Sequence, residues 1–178
     1  MAEFHAPPDA LPFFRTLFQR GVGVAIQTGV TLEDLLCRQW QIDRDYVMNR
    51  ISTLFLDAKP VDDLAAAVVE DGATLALSGA MPGLIGATMR RGGVLAPFRN
   101  GITYCASAAP HTSGDGRITL KLFNLLIDEL GPRFLARGVW IERSRLAEHF
   151  PGHPDLAGVG NGAVCVVMPT PRTTADTP

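Results

Sequence analysis

Apolar positions along the chain switch between the two-residue period of strands and the three-to-four spacing of helices. Leu11, Phe14, Leu17 and Phe18 recur at helical spacing after Pro7-Pro8-Asp9. This predicts a helix from residue 10 to residue 20, with Asp9 as N-cap and Pro12 tolerated in the first turn. Buried, these residues make a packing face; exposed, their aromatics would mark an interface. Residues 21–28 read as a strand. Thr31 then caps a helix carrying Glu33 and Asp34 in its first turn and Leu32, Leu35, Leu36 and Trp40 inward. Asp43 opens a second short helix with Tyr46, Val47 and Ile51 inward, and residues 53–57 form a strand that ends in a turn at 57–60.

The most distinctive stretch is 70–93, EDGATLALSGAMPGLIGATMRRGG, which has no charge between Asp71 and Arg90. Asp71-Gly72 is a turn signal, and Leu75 and Leu77 alternate as a strand with one buried side. Pro82 ends that strand, residues 84–89 give one or two helical turns, and Gly92-Gly93 stops them. Beyond it, 94–98 and 101–106 read as a hairpin around Asn100-Gly101. Residues 117–123 alternate cleanly and predict a strand with one wet face. Asn124 caps a helix to about Leu130, which Gly131-Pro132 interrupts. A strand over 139–142, a helix capped by Ser144 and a last strand over 163–168, apolar on both faces, complete the body. These elements predict an α+β fold. Residues 1–168 are expected to form a single body with one half at 21–93 and a mixed αβ half at 94–168, and the tail 169–178, with almost nothing to bury, to be disordered or laid on the surface.

Composition narrows the function. Nearly half of the residues are apolar, 47%, which supplies a core. Sixteen Lys and Arg stand against eighteen Asp and Glu with no basic block, which argues against nucleic acid as a partner. The uncharged run is broken by Pro82-Gly83 and reads as a buried strand and a glycine-rich loop, not a membrane span. Cys37, Cys105 and Cys165 are scattered and odd in number, and the first residues lack a basic start and a long apolar core. The expectation is a cytoplasmic protein.

The order of elements, Thr31-Leu-Glu-Asp-Leu-Leu36 on a helix, then FLDAKPVDD and EDGATLAL, is similar to the β-grasp, ubiquitin-like sulfur-carrier proteins of thiamin and molybdopterin biosynthesis, over about residues 21–79. The resemblance implies a β-grasp-like first half. In that family the reacting group is a C-terminal Gly-Gly carboxylate. Here Gly92-Gly93 is internal with 85 residues after it, so carrier chemistry would require cleavage after Gly93.

Candidate chemistry is sparse. Gly79, Gly83 and Gly86 have the spacing G-x-x-x-G-x-x-G, which is neither of the familiar phosphate loops, but with Arg90 and Arg91 they are candidates for a small anion. Asp62-Asp63 is a local acid pair. His149, His153 and Asp155 have metal-ligand spacing, although Pro151-Gly152 keeps the histidines off one helix face. Cys105 and His111 are candidates for a nucleophile and its base; Ser78 lacks the G-x-S-x-G context. No cofactor fingerprint is present, so the cofactor is unassigned. The expectation is a non-catalytic binding or assembly protein, with a protein partner or self-association as a homo-oligomer. The alternative is a small enzyme, or a metal- or anion-binding protein, with its site around Gly79–Gly93, Cys105 and His111.

Overall fold

A computed structural model describes residues 3–7, 10–106, 111–156 and 162–168. The strands are β1 (Glu3–His5), β2 (Val22–Thr28), β3 (Val30–Thr31), β4 (Thr53–Leu56), β5 (Lys59–Pro60), β6 (Val68–Val69), β7 (Thr74–Ser78), β8 (Gly114–Phe123), β9 (Val139–Glu142) and β10 (Ala163–Val167). Eight of them pair in one mixed sheet, in the order β1-β10-β9-β2-β8-β7-β4-β5, and β3 pairs with β6 apart from it. The helices are α1 (Leu11–Arg20), α2 (Arg44–Asn49), α3 (Gly83–Met89), α4 (Leu125–Arg137) and α5 (Arg143–His149), and Asp34–Gln39 is a π-helical turn. The fold class is α+β.

Alternation explains the layers. Along β8, Ile118, Leu120 and Leu122 are buried while Thr119, Lys121 and Phe123 are half-exposed. The buried side meets Leu75 and Leu77 of β7, Leu54 and Leu56 of β4 and Val22, Val24 and Ile26 of β2 in one core. Helices α1 and α4 pack on each other and on β8. The other side of the sheet carries Phe55, Thr74, Ala76, Lys121, Phe123 and Trp140, with Arg117 stacked 3.9 Å over the Trp140 ring. The wet face expected of the 117–123 strand is therefore present.

The two halves of the chain share this sheet. Strand β8 lies between β2, to which it is antiparallel, and β7, to which it is parallel. Parallel neighbours need a long crossover, and the chain supplies one between Ser78 and Gly114.

Several local expectations need correction. The hairpin over 94–106 does not form; Ala96–Arg99 is a 3-10 turn, and Asn100 has φ −51° and ψ −33° instead of the left-handed values that a two-residue hairpin turn requires. Arg99, drawn inward, decides this. Gly131-Pro132 does not break α4, which runs unbroken to Arg137. Packing of Leu126, Ile127, Leu130, Phe134 and Leu135 outweighs the one backbone bond that Pro132 removes, and bare Gly131 admits the Phe18 ring. Phe14 and Phe18 are fully buried, so the first helix has a packing face and no aromatic interface. The last helix begins at Arg143, ahead of Ser144. Asp43 does cap α2, accepting from the Asp45 and Tyr46 N–H groups. Thr31 accepts from the Asp34 N–H. Asp9 and the tail 169–178 lie outside the described residues.

Candidate interaction surface

Among the described residues, five of the seven exposed large apolar side chains lie on the crossover from β7 to β8; Met48 and Leu125 are the other two. Leu84 and Ile85 on α3, Val94, Phe98 on the 3-10 turn, and Ile102 are between 54% and 94% exposed. Helix α3 packs against the 3-10 turn, so these residues ride on one folded excursion. Over the same stretch, from Gly72 to Gly114, the sequence has three arginines and no acid.

The inner side of the excursion is bolted down by Arg99, which is 2% exposed. Its guanidinium meets the Asp62 carboxylate in two parallel bonds of 2.7 and 2.9 Å. The remaining donors reach the Thr88 carbonyl at 2.8 Å, the Thr103 hydroxyl at 2.9 Å and the Arg90 carbonyl at 3.3 Å. All five donors of the fork are thus used. Asp62 also accepts from the Gly92 N–H. Burial alone would raise the Asp62 carboxyl, but the bonds from Arg99 and Gly92 and the Arg99 charge outweigh it and hold the group below the usual carboxylate range. The acid pair is split: Asp63 accepts instead from the Ala65 and Ala66 N–H groups.

Arg91 makes a second bolt. Its Nη2 donates to the Val47 and Met48 carbonyls at 2.8 and 3.2 Å, closing the C-terminal end of α2, and its N–H donates to the Ser52 carbonyl. Burial pushes its pKa down, against the opposing charge of Asp62. Its Nη1 is buried with no partner among the described residues. The Tyr104 N–H donates to the Pro60 carbonyl and ties the end of the excursion to the sheet edge.

The candidate anion residues fall into different roles. Gly83 has φ +74°, a backbone state that suits glycine, ahead of α3. At Gly86 any Cβ would overlap the Met81 carbonyl, so this glycine permits close backbone packing. Gly79, Arg90 and Arg91 line a cavity of about 620 Å³ together with Arg50 and Asn124. Arg90 and Gly86 also line a neighbouring one of about 500 Å³. Arg50 is engaged by Glu129, whose carboxyl the Arg50 and Tyr46 bonds hold low.

Cys105 is exposed and its sulfur lies 3.7 Å from the Thr103 carbonyl, whereas His111 Nδ1 lies 2.5 Å from Glu70. Their recorded contacts therefore lead to different neighbours. Ser78 is buried and accepts from the Asn124 amide at 3.1 Å. His149 stacks on Phe13 with ring centroids 3.8 Å apart, and His153 meets Phe4 edge-on at 4.8 Å. Both histidines join an aromatic cluster with Phe14 and Phe150. The side chain of Asp155 lies outside the described set, and among the described residues no three His, Cys, Asp or Glu side chains gather as metal ligands. Cys37 packs against the core, and its thiol is raised chiefly by burial, then by Glu33. Among the described residues no helix is long and apolar enough to cross a membrane.

Comparisons with protein-family models, with curated proteins and with solved structures find no match to this chain. Sequence reasoning missed the Arg99–Asp62 bolt and the exposed row from Leu84 to Ile102. The only signal for them was the 43-residue span without an acid, in which three arginines must find their counter-charges elsewhere.

Proposed function

We propose that this chain is a non-catalytic binding or assembly protein that docks a second copy of itself through the outer side of the 79–106 excursion. One observation carries the reading: five large apolar side chains stand in solvent on a segment whose inner side is fixed by a fully bonded arginine. A flexible loop would lose ordering entropy on docking; a segment held from behind loses little. Burying a large apolar side chain is worth about 1.5–3 kcal/mol, so five at these exposures offer about 5–10 kcal/mol from each chain. Two copies together offer about 10–20 kcal/mol, against a ~4–15 kcal/mol cost of association. A two-fold contact suits a copy of the same chain as occupant, because it buries the same five side chains on both sides and leaves Arg99, already paired with Asp62, out of the seam. Three thiols without a disulfide accord with a cytoplasmic setting.

Sedimentation equilibrium tests this. The unmodified protein should show a concentration-dependent oligomer, and Val94→Ser with Phe98→Ser should be a folded monomer. A monomer at all concentrations overturns the reading.

A second reading rests on Arg90 and Arg91, which line the 620 Å³ cavity and whose guanidinium and buried Nη1, respectively, have no partner among the described residues: a small anion held there. Phosphate should then raise the melting temperature of the unmodified protein and not of Arg90→Ala; no rise with phosphate ends it. Arg91 is unsuitable for this test, because its side chain also closes α2.

A further inference from the structure

The open face of the sheet contains a built trough that the docking surface does not use. Strand register lays out its floor. Phe55, Ala76 and Lys121 form one row across β4, β7 and β8, and Thr53, Ser78 and Phe123 form the next. Ala76 is thus a methyl-sized floor between the rings of Phe55 and Phe123 and the Lys121 stem. Met81 and Pro82, where the chain leaves β7, and Ala58, in the tight turn between β4 and β5, close the sides. The space is about 550 Å³, within the usual size of a small-molecule site, and its lining is mainly apolar. Lys121 is the only charged residue in that lining. Among the described residues its amine has no ion-pair or hydrogen-bond partner.

We propose that this trough binds a small amphiphilic carboxylate, its hydrocarbon body over Ala76 between Phe55 and Phe123 and its carboxylate at the Lys121 amine. The acyl chain replaces water on a concave apolar surface, and the ammonium sets the sign of the headgroup. The trough shares Met81 and Pro82 with the base of the excursion, but none of Leu84, Ile85, Val94, Phe98 and Ile102 lines it.

Octanoate, octanol and octylamine test the idea by NMR titration of the full chain. Octanoate should give saturable shifts at Thr74, Ala76 and Phe123. It should bind about tenfold more tightly than octylamine, with octanol between, as expected for a part-exposed ion pair added to a common apolar term. Lys121→Met should abolish that ranking while keeping octanol binding, and Ala76→Phe should fill the trough and remove all three. Saturable shifts located elsewhere, equal or tighter binding of octylamine, or no saturable shift at all overturns the proposal. Should Ala76→Phe fail to fold, the shift map and the ranking of the three compounds on the unmodified protein decide the matter alone.

Discussion

Asp62→Ala tests whether the excursion is held rigid by the Arg99 bolt. The substitution strips two bonds from a guanidinium that is 2% exposed and leaves its charge without a counter-ion. Breaking a fully buried pair costs about 3–5 kcal/mol. The Asp62 side chain is 37% exposed, so water screens the pair and can replace the carboxylate in part. A loss of about 2–3 kcal/mol is the reasonable figure. Because Arg99 clasps Thr88, Arg90 and Thr103, the loss should appear as local opening of the excursion and not as global unfolding. At 1.36 kcal/mol per factor of ten, amide exchange should accelerate about 30- to 150-fold. The amides to watch are Gly93, Ile102 and Thr103, whose N–H groups bond within the excursion. Hydrogen exchange read by mass spectrometry should show this in peptides over 88–104 and leave 117–123 unchanged. Adding Arg99→Met to Asp62→Ala should recover part of the loss, since the stranded charge is then gone. Unchanged exchange over 88–104, or equal acceleration in β8, would refute the bolt.

Other perturbations follow from the same contacts. The Asp62 carboxyl is held below its ordinary value, so its contribution is complete above the ordinary carboxylate pKa of about 3.9 and fades as pH falls through the depressed folded value. Protection over 88–104, measured against the intrinsic exchange rate at each pH, should therefore be steady from neutrality to about pH 4 and fall only below it; loss of protection already at pH 6 would contradict this. Thr53→Val removes a buried hydroxyl that has no partner among the described residues, and should raise the melting temperature by about 2–4 °C for about 1 kcal/mol gained; a lower melting temperature would show that the hydroxyl is satisfied. Gly86→Ala forces a methyl into the Met81 carbonyl and should cost about 1–3 kcal/mol in chemical denaturation, whereas a silent change would deny the close approach. Phe14→Ser should cost at least ~3–5 kcal/mol, in contrast to Phe98→Ser, which should leave stability unchanged at dilutions where the chain is monomeric; the reverse order in a melting experiment there would contradict the burial of the two rings.

Much of the fold was legible because the deciding signals were local. The alternation of Ile118, Leu120 and Leu122 and the cap at Asp43 rest on neighbours a few residues away, and both formed as expected. Asn100-Gly101 carried an equally clear hairpin signal and lost, because Arg99 gains five bonds by turning inward to Asp62, 37 residues back in the chain. The same competition kept α4 whole across Pro132, where tertiary packing outweighed a local breaker. The candidate surface was less legible. Phe14 and Phe98 are the same residue type, and only the three-dimensional arrangement puts one in the core and the other in water. Nor does spacing along the chain reveal the row Phe55–Ala76–Lys121, since strand register alone brings those residues together.

Methyl NMR on serial dilution tests the assembly surface most directly. If a second copy docks on the excursion, the methyl signals of Leu84, Ile85, Val94 and Ile102 should shift with concentration while those of the buried Leu120 and Leu122 stay fixed. Shifts confined to another surface, or none over the accessible concentration range, would contradict the account.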